Sequence, residues 1–197
     1  AVQGMRSAAY LQPGERRGCV GCHEPPGTSP SSAPRIAFRG PPSRIQPGPD
    51  GSRPWSFQRL VQPVLDRRCV RCHGGGGSGS GAGGGGQAGR APDLRGEPSE
   101  RFTVAYESLK PYVRWYEWGG SSIGGTVTRP GRMPADESPL ARIIDDATHS
   151  GETGLTDEER RRIYLWLDGN AAFYGAYSQA EQAAQHRREA VGVPELE

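Results

Sequence analysis

A mainly α fold, broken by long irregular Pro- and Gly-rich segments and organised around two covalently attached prosthetic groups, is what this sequence predicts. Three observations carry the prediction. The first is a five-residue pattern used twice, Cys19-Val20-Gly21-Cys22-His23 and Cys69-Val70-Arg71-Cys72-His73. The second is a series of short stretches whose apolar residues recur at helical spacing. The third is composition: Gly (30) and Pro (18) fill about a quarter of the 197 residues, and only 34% are hydrophobic, too few for side chains alone to build a thick core. A large apolar group packed among short helices makes up that deficit.

The doubled pattern admits three readings: a disulfide frame, a four-thiolate zinc site, or two haem attachment sites. A zinc ribbon is satisfied by its thiolates and leaves both histidines unexplained. The chain holds only four His, and one follows each cysteine pair directly, which favours haem. Two thiols one helical turn apart reach the two vinyl groups of a porphyrin, and the next residue faces the iron. Cys19, Cys22, Cys69 and Cys72 are therefore expected as thioether anchors of two covalently bound haem c groups, with His23 and His73 as proximal iron ligands.

His149 and His186 remain for the distal positions. His149 ends a helical pattern and precedes Gly151, a place from which a side chain can turn inward. It is expected as the sixth ligand of the His73 haem, with Met133 as its competitor and an exposed loop histidine as the plain alternative. His186 lies among Gln185, Arg187 and Arg188, where a solvated helix residue competes with a cap on the His23 haem. A Met ligand raises the potential relative to His, and an empty sixth position opens the iron to small molecules.

Along the chain, residues 1–54 form a first haem-binding segment with a Pro-rich wrap, extended and mostly irregular because proline fixes φ and removes a donor. Residues 55–176 form the second haem domain. In it, Phe57, Leu60, Val61, Val64 and Leu65 follow the i, i+3, i+4, i+7, i+8 pattern of a helix bent at Pro63 and leading into Cys69. A Gly-rich insertion follows at 74–89, read as a flexible linker. Phe102 to Val113 reads as a short helix followed by Trp115, Tyr116 and Trp118, aromatics expected to wall a haem, with ordinary core packing as the alternative.

Ser138 as N-cap and Pro139 at the first helical position start a helix through Leu140, Ile143 and Ile144 that ends near His149. Thr156-Asp157-Glu158-Glu159 is a capping box opening a helix that stops at Gly169. Residues 177–197 carry a C-terminal helix with a poor apolar stripe, and a tail. That helix is read as solvent-facing or docked on a partner.

Lys plus Arg (24) and Asp plus Glu (22) are interleaved, giving a net charge of +2, so no basic stripe points to nucleic acid. No apolar run approaches the roughly 18 residues of a membrane span. The chain opens at Ala1 without a signal-like segment and is expected to be processed at its N-terminus, even a piece of a larger protein. Because c-type haem is attached outside the cytoplasm, a periplasmic or extracellular location is expected, a compartment that also permits disulfides.

A helix leading into Cys-x-x-Cys-His and the later "LTDEERRRIYLWL" helix resemble class I cytochrome c around the second haem. More specifically, "MRSAAYLQPGERRGCVGCHEPP", "FQRLVQPVLDRRCVRCH" and "IYLWLDGNAAFYGAY" are similar to the C-terminal haem domains of planctomycete multihaem cytochromes related to the hydrazine synthase alpha subunit. The resemblance covers most of residues 1–180, without that family's β-propeller. It implies a cytochrome c-like fold, a bis-histidine second haem with its distal imidazole from His149, and a first haem that can be catalytic. Where the family places a Tyr four residues after the proximal His of the catalytic haem, this sequence has Gly27.

The function expected is that of a dihaem c-type cytochrome passing electrons between its haems and to redox partner proteins. No triad, phosphate loop or paired carboxylates suggest other chemistry, so the reading leans away from an enzyme. The alternative is a haem enzyme, hydrazine synthase-like or peroxidase-like, acting at the His23 haem. A head-to-tail homopolymer, an extracellular cytochrome filament, elaborates the first reading, with His186 capping the His23 haem within one subunit or across the boundary.

Overall fold

The structure, a computed structural model, describes residues 12, 14–15, 27–28, 39–41, 44, 46–74, 91–115 and 132–193. The chain divides into two compact units, one of residues 1–4 with 48–197 and one of residues 5–47. In the second of these, the Gln12 amide donates to Glu15 Oε2 at 2.9 Å across a turn in which Gly14 has φ +80°. Cys19, Cys22, His23 and the Gly-rich insertion from residue 75 onward lie outside the described residues, as do Tyr116 and Trp118.

The larger unit is helical, with no strand among the described residues and a single antiparallel bridge between Pro98 and Thr103. Its first helical path comes in three pieces, α1 (Phe57–Leu60), α2 (Gln62–Arg68) and α3 (Val70–His73). The sequence predicts one helix bent at Pro63. The path instead breaks at Val61, because Pro63 falls in the first turn of α2, where its missing N–H costs nothing. A second break falls at Cys69, whose φ of −114° departs from helical values while its amide still donates to Leu65 O at 2.8 Å. The amide of Phe57, an orphan donor at the start of α1, is taken by Phe173 O at 3.0 Å.

The middle of the unit holds α4 (Val104–Leu109), continued by a 3₁₀ turn over Lys110–Tyr112 in which Pro111 removes a donor. Thr103 caps α4, its hydroxyl accepting from the Tyr106 amide at 3.4 Å. Then follow α5 (Pro134–Glu137) and α6 (Pro139–Asp145). Ser138 stands at the N-cap of α6 as expected, but its hydroxyl is used elsewhere, donating to Pro134 O at 2.5 Å and accepting from the Arg114 amide at 2.9 Å.

The helix expected to end near His149 ends earlier. Asp146 turns to an extended ψ of 138° and its carboxylate accepts from the Thr148 amide at 3.0 Å, so a new helix, α7 (Ala147–Thr153), begins and carries His149 in its interior. Gly154, left-handed at φ +57°, stops it.

The capping box forms as read: Thr156 and Glu159 exchange hydrogen bonds at the start of α8 (Asp157–Asp168), and Gly169 follows its end. The last helix, α9 (Gln179–His186), docks on its own unit rather than facing solvent. Hydrogen bonds and an ion pair just past its end hold it, which its weak apolar stripe could not disclose. Gln185, buried, accepts from the Gly175 amide at 2.9 Å, Gln58 Nε2 donates to His186 O at 3.1 Å, and Arg188 pairs with Asp66 at 2.7 Å.

The core sits where α1, α2, α4, α6 and α8 meet. Phe57, fully buried, packs its ring 5.2 Å from Tyr106 and 5.2 Å from Trp166. Phe102 and Phe173 close the cluster, their centroids 5.0 Å apart. Phe102 and Tyr106, expected as haem-walling aromatics, thus belong to an aromatic core, the alternative weighed for them. Burying each such side chain stabilises by about 1.5–3 kcal/mol, with edge-to-face pairs adding roughly another 1 kcal/mol.

Candidate cofactor site

One side of this core is hollow. A cavity of about 660 Å³ opens between α2–α3 and the pair α6–α7, within the roughly 300–1,000 Å³ typical of ligand and cofactor sites. Leu65, Leu94, Leu109, Leu140, Ile144 and Ile163 supply apolar walls. Tyr112 is the residue of the 102–118 aromatic run that lines it among those described.

Cys69, Cys72 and His73 enter from α3 and its N-cap, because the helical turn from Cys69 to His73 stacks the motif along one face. The Cys72 amide donates to Cys69 O at 3.1 Å and the His73 amide to the same oxygen at 2.9 Å. Neither cysteine is in a disulfide; Cys69 is part-buried and Cys72 exposed. Burial, then the neighbouring Cys72 and Glu159, push the Cys69 thiol up to about 11, so it rests neutral in an apolar wall.

The His73 ring is oriented by backbone. Its Nδ1 donates to the Pro92 carbonyl at 3.0 Å, which fixes the tautomer and leaves Nε2 with a free lone pair. The segment that provides Pro92 is itself pinned. The Leu94 amide donates to His73 O at 2.9 Å, and Gln62 Nε2 donates to Leu94 O at 3.1 Å. Metal-ligating imidazoles almost always have such a partner on the other ring nitrogen.

From α7, His149, an exposed residue, joins the same lining. Its ring has no hydrogen-bond partner among the described residues, while its backbone carbonyl accepts from Thr153 Oγ1 at 2.8 Å. Of the other candidates, Met133 is buried at the N-cap of α5 and is not part of the cavity lining. His186 also lies outside that lining. Its Nε2 donates to Phe102 O at 3.1 Å and its ring packs 5.9 Å from Phe173.

Charged groups sit at the rim. Arg68 is held by Glu159, its Nε 3.0 Å from Oε2, and Arg67 by the same carboxylate at 3.2 Å. Burial pushes the Glu159 carboxyl up, but the Thr156 amide, Arg68 and Arg67 outweigh it and hold the group down to about 2. This one residue caps α8 and ties it to the helix that delivers the motif. Arg71, inside the motif, donates to the Glu152 carbonyl on α7.

The residues fit a haem. Two thiols one turn apart, a proximal imidazole with its far nitrogen engaged, a second imidazole in the same lining and an apolar chamber are what a covalently attached porphyrin needs. No group of three or more His, Cys, Asp or Glu able to hold a bare metal ion occurs among the described residues. Sequence reasoning missed Pro92 and Arg71. Pro92 acts through its backbone, which no residue pattern announces, and Arg71 occupies a variable position of the motif.

Comparison with known proteins gives a partial match. Residues 1–24 match the family model of the hydrazine synthase alpha subunit middle domain. That stretch includes the whole first motif, Cys19, Cys22 and His23. No curated protein and no solved structure matches the chain.

Proposed function

We propose that the chain is a c-type cytochrome that carries electrons through two covalent haems, one at Cys69, Cys72 and His73 and one at Cys19, Cys22 and His23. The observation that carries this reading is the shared lining: both motif thiols, His73 and His149 surround one apolar cavity. When bound, haem supplies reversible one-electron chemistry at its iron. The chain's own residues do the rest. Cys69 and Cys72 would tether the group, His73 would offer Nε2 with its tautomer held through Pro92, His149 would offer a second imidazole, and the Leu and Ile walls would exclude water. A group held by both imidazoles would serve electron transfer without bond making.

Electrons would come from and go to redox partner proteins, in the periplasm or outside the cell. No helix among the described residues is long and apolar enough to cross a membrane. A head-to-tail filament of such units elaborates this reading, and the mass of the holoprotein in solution over a range of concentrations tests it. Gln58 Nε2 of α1 donates to the His186 carbonyl at the end of α9.

The match of residues 1–24 to a hydrazine synthase domain favours a second reading, in which the His23 haem keeps an open position and acts on a small nitrogen or peroxide substrate. Carbon monoxide added to the reduced purified chain separates the two. The carrier reading expects no fast stoichiometric binding, and rapid binding of one equivalent at the His23 haem would replace it with the enzyme reading.

A further inference from the structure

The helix that carries His149 is unusual in how little holds it. Among the described residues, α7 buries no side chain, so the hydrophobic packing that normally fixes a helix of seven residues is missing. Two arginines from other elements supply the attachment. Arg160, on α8, donates to Ser150 Oγ at 3.2 Å and, at the junction with α6, to Ile144 O at 2.8 Å and Asp145 Oδ1 at 2.6 Å. Arg71, on α3, donates to the Glu152 carbonyl.

The second contact matters because of where its two ends lie. Glu152 is in the last turn of α7, where backbone carbonyls have no intrahelical partner and a cation is favoured by the helix dipole. It stands three residues after His149, so the two share a helical face to within a turn. Arg71 stands two residues before His73, between the two motif cysteines. The bond therefore joins the attachment motif to the helix that carries His149, both part of the cavity lining.

We infer that Arg71 is a positioning residue for the sixth ligand: by capping the C-terminal turn of α7 it latches an otherwise unburied helix over the cavity and keeps His149 within reach of the iron held by His73. The inference rests on the proposed reading of His149 as a ligand. Without the latch, α7 retains only the Arg160 contact and its junction with α6, and the imidazole spends part of its time withdrawn. Arg71 touches neither iron nor porphyrin in this role; it acts through the Glu152 carbonyl.

The test uses the full holoprotein, with haem content checked in every variant, and reads two signals. In Arg71→Gln, amide hydrogen exchange over residues 150–154 rises on the order of fivefold, the loss expected for one charge-assisted hydrogen bond at an exposed site. A fraction of one ferric haem also moves from low to high spin, and that haem admits carbon monoxide faster when reduced. Arg71→Lys, which keeps a donor without the fork, recovers part of both signals. Glu152→Ala leaves both unchanged, because the acceptor is backbone; a spectral change there would overturn the latch. His149→Ala separates the two levels. If it converts the haem to high spin while Arg71→Gln leaves exchange and spectrum as in the unaltered protein, the latch is wrong and the ligand stands. If His149→Ala leaves the low-spin signal intact, the ligand reading itself fails and the latch falls with it.

Discussion

The Nδ1 of His73 donates to the carbonyl of Pro92 at 3.0 Å, and a carbonyl can only accept, so the ring's remaining lone pair sits on Nε2. Pro92 also lines the cavity beside Cys69 and Cys72. The backbone after the Gly-rich insertion thus turns back to set the chemistry of the residue that ends the motif before it. The segment that Gln62 anchors through Leu94 O is thus the one that orients His73.

That coupling predicts the behaviour of Gln62, whose amide holds Leu94 O at 3.1 Å and which is fully buried. Gln62→Leu removes the anchor of the segment that carries Pro92 and leaves a buried carbonyl unsatisfied, a cost of about 1–3 kcal/mol. Urea unfolding is expected to show that loss. The proton NMR signal of the His73 Nδ1–H is expected to exchange faster with solvent.

His149→Ala removes the second imidazole of the cavity lining. The expected outcome is conversion of one haem from low to high spin, seen in the ferric absorption and electron paramagnetic resonance spectra, with the other haem unchanged. A persisting low-spin signal would transfer the role to Met133 or His186, either of which would have to move to reach the cavity.

Glu159 links α8 to the motif helix through Arg67 and Arg68. Its carboxyl is held below its ordinary 4.5, at about 2, in the folded chain. A depressed folded pKa gives stability that is complete above the unfolded value and is lost as pH falls through the folded one. Glu159→Gln is expected to cost about 1–2 kcal/mol near neutral pH. The difference from the unaltered chain should shrink as pH is lowered from 4.5 towards 2, measurable as converging urea midpoints.

Two glycines predict opposite outcomes. A Cβ on Gly175 would run into the Trp55 backbone carbonyl, which cannot yield as a flexible side chain can, so Gly175→Ala is expected to cost about 3 kcal/mol and to lower Tm by roughly 6–12 °C. Gly151, inside α7, has open space around the same position. Gly151→Ala is expected to stabilise by about 0.5–1 kcal/mol through helix propensity, and hydrogen exchange over α7 should slow accordingly.

Much of the site was legible because it is local. The spacing of Cys69, Cys72 and His73 encodes one helical turn, and Thr156 with Glu159 encodes a cap; both depend on residues within four positions of each other. The break at Asp146 was less visible, since an Asp inside an apolar-periodic stretch reads equally as a surface position of a continuing helix until its carboxylate is seen capping Thr148. The seat of α9 was not legible at all. Gln185, Gln58 and His186 hold it by hydrogen bonds to Gly175 and Phe102 and across to α1, and contacts between residues 84 and 128 positions apart leave no periodic trace. The aromatic run at 102–118 was ambiguous for a related reason: whether a ring faces a cofactor or the core depends on which side of α4 the cofactor occupies.

The central claim, that Cys69 and Cys72 are thioether anchors of one of two haems, is tested most directly by haem stoichiometry in the chain produced in a host that matures c-type cytochromes. Alkaline pyridine spectra and intact mass are expected to give two covalent c-type haems per chain, falling to one when Cys69 and Cys72 are both replaced by Ala. A chain with stoichiometric zinc and no porphyrin absorbance, or a haem count untouched by that double replacement, would contradict it.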